Sequence, residues 1–247
     1  MSVFEGRYVD LRGHPTWIVE GGEGATTVLL LHGGLLHTDL LTDSLGVLLA
    51  GEYRVAGFDR IGHGYTADNG KAFSYEAMAD ETIAFLEHAR NRPVVLVGWS
   101  DGGVAALMAA LKRPDLVDAL VTIGSKYHVS GSDTGGFTPE TSAYKWCKSE
   151  YAARSPDGEA HFDDVAQRLV ALWQSGPLLT QDDLGRLSMP CLVMAGDRDV
   201  ATLEHEIEMY RGIPKADLAI VPDAQHGLPF EKPQIVADLI RDFIKRL

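Results

Sequence analysis

The stretch Val94–Leu111, VVLVGWSDGGVAALMAAL, constrains this chain more than any other. Val94 to Val97 is a short, largely β-branched apolar run that follows Pro93, and it reads as a buried strand. The residues after Ser100 are rich in Ala, Leu and Met, which favour helix. Between the two stands Gly98-Trp99-Ser100-Asp101-Gly102, a G-x-S-x-G pentapeptide. A strand that turns directly into a helix forces the central residue into strained dihedrals, and small neighbours are needed where the two elements pass so closely. Gly103, Ala105 and Ala106 extend the low-bulk face. Such a turn exposes the serine oxygen and points the free N–H groups of the helix N-terminus toward it. A phosphate cradle would call for a Lys-Ser/Thr ending or G-x-G-x-x-G, and neither occurs here. Ser100 is the candidate nucleophile.

The chain around this turn alternates strand and helix. Two extended runs flank Arg12-Gly13-His14-Pro15 and predict an antiparallel hairpin. TTVLLLHGG gives a short strand ending at His32, a leucine-rich helix covers Asp39 to Ala50, and Tyr53 to Phe58 is the next strand. Asp59 to Thr66 is a polar, glycine-punctuated loop. Ser74 is placed to cap a helix with Met78, Thr82, Phe85 and Leu86 at helical spacing. Beyond the serine turn, Leu116 to Ile123 reads as a strand. This order implies a mostly parallel sheet with right-handed crossovers, an α/β fold.

The alternation stops after Gly124. Residues 125–187 hold no convincing strand. One helix is expected to start at Thr138-Pro139, carrying Tyr144, Cys147 and Tyr151 at helical intervals. A second runs through Phe162, Val165, Leu169, Leu172 and Trp173, and Thr180 caps a short third. The pattern resumes with the strand CLVMAG (Cys191 to Gly196), a helix around Leu203 to Tyr210, the strand Leu218 to Val221, and a last helix from near Pro233. The apolar stripe of that helix is Val236, Leu239, Ile240, Phe243 and Leu247. The expected organisation is a core of residues 1–124 and 188–247 with a helical cap, 125–187, inserted over the site.

A serine hydroxyl is a weak nucleophile and needs a base, and the base needs an acid to orient it. In a parallel sheet such groups belong at the carboxyl ends of strands. Two late loops qualify: Ala195-Gly196-Asp197-Arg198-Asp199-Val200 and Pro222-Asp223-Ala224-Gln225-His226-Gly227. His226 is the expected base and Asp199 the expected acid. Asp197 is assigned to bracing its loop and Asp223 to a turn. His32 and His63 are expected to brace loops, and His88, His161 and His205 to lie on solvated helix faces. An oxyanion needs positioned N–H donors. These are expected from Asp101 at the start of the helix and from His32-Gly33-Gly34-Leu35, with Gly34 the first choice and Leu35 the second.

Composition narrows the partners. The chain has 247 residues, with 22 Lys and Arg against 35 Asp and Glu, a formal charge of −13. That argues against nucleic acid or an anionic membrane as the main partner. No apolar run approaches the roughly 20 residues of a membrane span, and the start MSVFEGRYVD lacks the features of a signal peptide. Cys147 and Cys191 make no disulfide framework. A cytoplasmic protein is expected, without metal or other cofactor.

With these residues in place the chain resembles the serine hydrolases of the α/β-hydrolase fold. LLLHGG, DRIGHGYT, GWSDGG, AGDRD and AQHGLPFEKP carry the resemblance over nearly the whole length, with Thr66 where the family pattern D-x-x-G-x-G-x-S has serine. It implies an eight-stranded, mostly parallel sheet with the second strand antiparallel, and a helical cap after the sixth strand. The elbow VGWSDGG is similar to that of valacyclovir-hydrolase-like (biphenyl hydrolase-like) enzymes. That likeness implies a substrate-ammonium contact at Asp101; the alternative role for Asp101 is to complement the helix dipole. The expected activity is cleavage of a small or medium carboxylic ester through an acyl-enzyme. Enol-lactone or C–C bond hydrolysis, perhydrolysis, and a slow ligand receptor on the same scaffold are the alternatives. Phe137, Tyr144, Trp146, Trp173 and Trp99 are the aromatics expected to shape an acyl pocket.

Overall fold

The computed structural model describes residues 3–89, 94–132 and 136–247. Pro93, expected to introduce the central strand, lies outside the described residues, as do residues 133–135 within the expected cap. One eight-stranded sheet runs in the order β1-β2-β4-β3-β5-β6-β7-β8. Its strands are β1 (Phe4–Leu11), β2 (His14–Gly21), β3 (Thr27–Leu31), β4 (Arg54–Phe58), β5 (Val94–Trp99), β6 (Ala119–Ile123), β7 (Cys191–Gly196) and β8 (Ala216–Val221). β1 and β2 pair antiparallel, β2 pairs antiparallel with β4, and every pair from β4 to β8 is parallel. β3, β5, β6 and β7 are buried along their whole length, which is why they read as unbroken apolar runs rather than alternating ones. Helices cover both faces, and the core accordingly divides into two apolar clusters, one on each side of the sheet.

Several boundaries differ from the sequence expectation. The sixth strand begins at Ala119, because Pro114–Leu116 forms a 3-10 turn. The helix expected at Thr138-Pro139 runs instead over Ser142–Arg154. Its N-cap is Thr141, whose Oγ1 accepts the Tyr144 N–H at 3.3 Å, and the same hydroxyl donates to the Thr138 carbonyl at 2.7 Å. Thr138 and Pro139 form the turn before it. The helix over Thr38–Leu49 contains a π turn, Thr42–Gly46. The last helix, Pro233–Ile244, ends before Leu247, which is exposed and leaves the expected stripe. Ser74 does cap the helix Tyr75–Ala89, accepting the Ala77 N–H at 3.1 Å, and Thr180 closes a capping box with Asp183.

Between β6 and β7 the described residues add no strand to the sheet. They form the helices Ser142–Arg154, Phe162–Ser175 and Gln181–Leu184. Tyr144, Cys147, Tyr151, Phe162, Val165 and Leu169 are buried where the first two helices meet. An ion pair and two hydrogen bonds fasten this segment to the core: Asp68 takes Arg168 and His161 (2.8 Å), and His37 Nε2 meets Glu150 at 3.0 Å. Among the described residues no helix is long and apolar enough to cross a membrane.

Candidate active site

Ser100 stands between β5 and the helix Asp101–Lys112 with φ 54° and ψ −123°. A residue with a Cβ rarely adopts this conformation, and holding it costs about 1–3 kcal/mol. Four hydrogen bonds fix it. The Ser100 N–H donates to the Ile123 carbonyl on β6 at 2.9 Å, and its carbonyl accepts from Gly103 N (2.9 Å), Val104 N (3.2 Å) and Ser125 Oγ (2.8 Å). The glycines permit the close approach. A Cβ on Gly98 would strike the Gly102 carbonyl, and one on Gly102 would strike the Leu31 carbonyl of β3.

His226 and Asp199 arrive from the loops after β8 and β7. Nε2 of His226 lies 3.0 Å from Ser100 Oγ, and Nδ1 lies 2.7 Å from Asp199 Oδ1. A carboxylate accepts, so Nδ1 carries the proton and Nε2 is free to receive the serine proton. The Asp199 side chain is fully buried, and Oδ1 also accepts the Ala201 N–H at 3.2 Å. Trp99 Nε1 donates to the His226 carbonyl at 2.7 Å and fixes that loop. The rival carboxylates are occupied elsewhere: Asp197 accepts the Ala224 N–H (3.2 Å), and Asp223, at φ 54°, pairs with Arg198 (2.7 Å).

Gly34 and Asp101 border the cavity into which Ser100 opens. Leu35 is buried in the core at φ 61°, where the loop bends. His32 supports this loop from below. Its Nε2 accepts the Arg60 N–H (3.1 Å), so Nδ1 is protonated and donates to the Gly33 carbonyl (2.7 Å). Nη2 of Arg60 donates to the same carbonyl at 3.0 Å. Burial holds the pKa of His32 well below the ordinary histidine value, which keeps the ring neutral for this role.

Asp101 is buried, and each of its oxygens has an internal donor. Tyr75 Oη donates to Oδ1 at 2.8 Å, and Trp173 Nε1 donates to Oδ2 at 2.7 Å. The carboxylate thus ties the elbow helix to the helix Phe162–Ser175. Beside Asp199 lies Glu206, fully buried, with the Ser125 N–H directed at its carboxyl group, while Oδ2 of Asp199 has no hydrogen-bond partner among the described residues. Burial first, and the Asp199 charge second, raise the Glu206 pKa well above the ordinary carboxyl value, against the smaller lowering effect of the Ser125 N–H.

The cavity measures about 470 Å³. Ser100, His226, Phe137, Trp146 and Trp173 all line it. Trp99 lines it as well. Tyr144 does not; it packs edge-on against Phe162 and donates its hydroxyl to Asp163. Cys147 reaches the wall, its thiol pushed up to about 12 by burial. Two histidines depart from the expectation of solvated faces. His205 is buried, stacks on Tyr127 and accepts the Tyr127 N–H, and its pKa is lowered by burial to about 4. His161 is half-buried against Asp68. Sequence reasoning missed Tyr75, Lys126 and Glu206. Lys126 had one available signal, its place just past the carboxyl end of β6.

Comparison with known proteins fits this geometry. The model of the alpha/beta hydrolase family matches residues 28–239. The chain belongs to the alpha/beta hydrolase family. It is 25% identical over 239 residues to the mouse (Mus musculus) protein Serine hydrolase BPHL, covering 91% of this chain and 81% of that one. Among solved structures, a meta-cleavage product hydrolase from Pseudomonas fluorescens IP01 superposes with a TM-score of 0.84 at 20% identity, covering 98% of both chains. A serine hydrolase involved in carbazole degradation superposes with a TM-score of 0.81 at 22% identity, covering 99% of this chain and 100% of that one. The structural likenesses establish the fold. Family membership and the relative's name together support hydrolase activity.

Proposed function

We propose that this chain hydrolyses small or medium carboxylic esters through an acyl-enzyme on Ser100. The observation that carries this reading is the continuous hydrogen-bonded run Asp199–His226–Ser100, with Ser100 bordering a largely apolar cavity. His226 Nε2 takes the Ser100 proton as Oγ attacks the ester carbonyl. Asp199 holds the tautomer and stabilises the imidazolium. The N–H groups of Gly34 and Asp101 receive the oxyanion. His226 then protonates the leaving alcohol and activates the water that releases the acid. Segment 125–187 acts as a cap, and its aromatics Phe137, Trp146 and Trp173 hold the apolar part of the substrate.

Turnover of p-nitrophenyl butyrate tests this. The wild type should hydrolyse it, and Ser100→Ala should lose about a thousandfold or more in kcat while retaining its circular dichroism and Tm. Equal turnover by the two proteins would overturn the proposal.

A further inference from the structure

The cavity that holds Ser100 also holds a lysine. Lys126 stands two residues past Gly124, just beyond β6, and is 7% exposed. It borders the same space as Ser100 and His226. Its Nζ donates one hydrogen bond, to the Trp173 carbonyl at 2.9 Å. An ammonium offers three N–H donors. Among the described residues no Asp or Glu oxygen lies within ion-pair distance of it. Burial lowers the Lys126 pKa and the nearby Asp101 charge opposes that shift, but the Asp101 oxygens already receive Tyr75 Oη and Trp173 Nε1. The surrounding wall is mostly apolar, with Leu36, Val104, Phe137, Ala143 and Trp146. A cation with unused donors in such a chamber is poorly solvated, and an incoming anion would relieve that cost.

Resting on the ester-hydrolase reading, we infer that Lys126 recognises a carboxylate carried by the substrate, so the enzyme prefers esters that bear a second, ionised carboxyl group. That group can sit on the acyl half, as in a monoester of a dicarboxylic acid, or on the alcohol half. The chemistry at Lys126 is the same in both cases. The competing role is mechanical: the Trp173 carbonyl lies in the last turn of the helix Phe162–Ser175, where a cation complements the dipole. A mechanical lysine affects charged and neutral esters alike, whereas a recognition lysine affects their ratio.

The experiment measures kcat/KM for matched pairs. On the acyl side these are the mono-4-nitrophenyl esters of glutarate, adipate and pimelate, each against its methyl-capped neutral analogue. On the alcohol side the pair is the butyryl ester of 4-hydroxybenzoate against that of its methyl ester. In at least one series, the preference of the wild type for the carboxylate form should fall by about tenfold to a hundredfold in Lys126→Met, mainly through KM. Lys126→Arg, which keeps the charge, should restore part of it. Lys126→Gln gives a second neutral variant, and circular dichroism reports whether each is folded. Ratios that stay the same in both series, or an equal fall for charged and neutral esters, would overturn the role of Lys126. Failure of the wild type to hydrolyse any of these esters, charged or neutral, would instead count against the hydrolase reading itself.

Discussion

Gly124→Ala would place a methyl group between the two partners of Ser100. Gly124 follows β6 at φ +53°, and a Cβ there would lie 2.5 Å from Asp199 Oδ2 and 3.3 Å from His226 Nδ1. Ordinary contact begins near 3.4 Å, so in a close-packed interior the carboxylate must retreat by about 0.9 Å. A retreat directed away from His226 would open the Asp199–His226 bond, now 2.7 Å, to as much as about 3.6 Å, outside hydrogen-bonding range. Misplacing a reacting group by such a distance costs about a hundredfold in rate. The left-handed backbone adds about 1–2 kcal/mol of destabilisation, equivalent to a Tm loss of about 2–8 °C in a chain of this size. Stopped-flow ester hydrolysis and calorimetry on the same preparation measure both effects. Gly51→Ala is the control, since its Cβ would meet nothing within 4 Å and its φ is not in the left-handed range. A folded Gly124→Ala protein with kcat/KM within about twofold of wild type would refute the reasoning that the acid–base bond is the sensitive element.

Tyr75→Phe removes one of the two donors to the buried Asp101 carboxylate without changing shape, and should cost about 1.5–3 kcal/mol in urea unfolding; a loss below about 0.5 kcal/mol would mean that Asp101 finds solvent instead. Glu206 gives a pH prediction. Its unfolded pKa is near 4.5 and its folded pKa lies well above that. Between the two values the folded state holds one more proton than the unfolded state, so this group makes stability fall with rising pH at up to about 1.4 kcal/mol per pH unit. Its contribution is fully retained below about pH 4.5. Glu206→Gln abolishes that slope, so the variant should gain stability relative to wild type as pH rises; parallel stability–pH profiles would refute the assignment. Asp59, which burial raises to about 7, is present in both proteins and cancels in the difference.

The elbow and the parallel strands were legible because their physics is local. A strand buried on both faces has to be apolar throughout, and the turn at Ser100 needs Gly98 and Gly102 within two residues of it. The order of the loops after β7 and β8 likewise pointed to Asp199 and His226, which the fold brings into one hydrogen-bonded run with Ser100. Elements governed by competing local signals were less legible. Leu116-Val117 reads as strand, yet Pro114 favours a 3-10 turn, and the Asp118 carboxylate accepts the Val94 N–H at 2.6 Å where β5 and β6 begin. Thr138-Pro139 has the composition of a helix start, yet Thr141 wins because its hydroxyl can donate back to Thr138 while accepting from Tyr144. Contacts made by segment 125–187 were not legible at all. Trp173 meets Asp101 across 72 residues of sequence, and Lys126 meets Trp173 across 47. Such pairings depend on how helices dock over the sheet, which no window of sequence encodes.

The central claim is that Ser100 carries the acyl group during turnover. Rapid quenching of the wild type during hydrolysis of p-nitrophenyl butyrate, followed by digestion and mass spectrometry, tests it most directly. A butyryl adduct on the peptide containing Ser100, formed at the rate of the p-nitrophenol burst and absent from Ser100→Ala, is the predicted result. Sustained hydrolysis by Ser100→Ala, or turnover by the wild type with the acyl group found on a different residue, would contradict it.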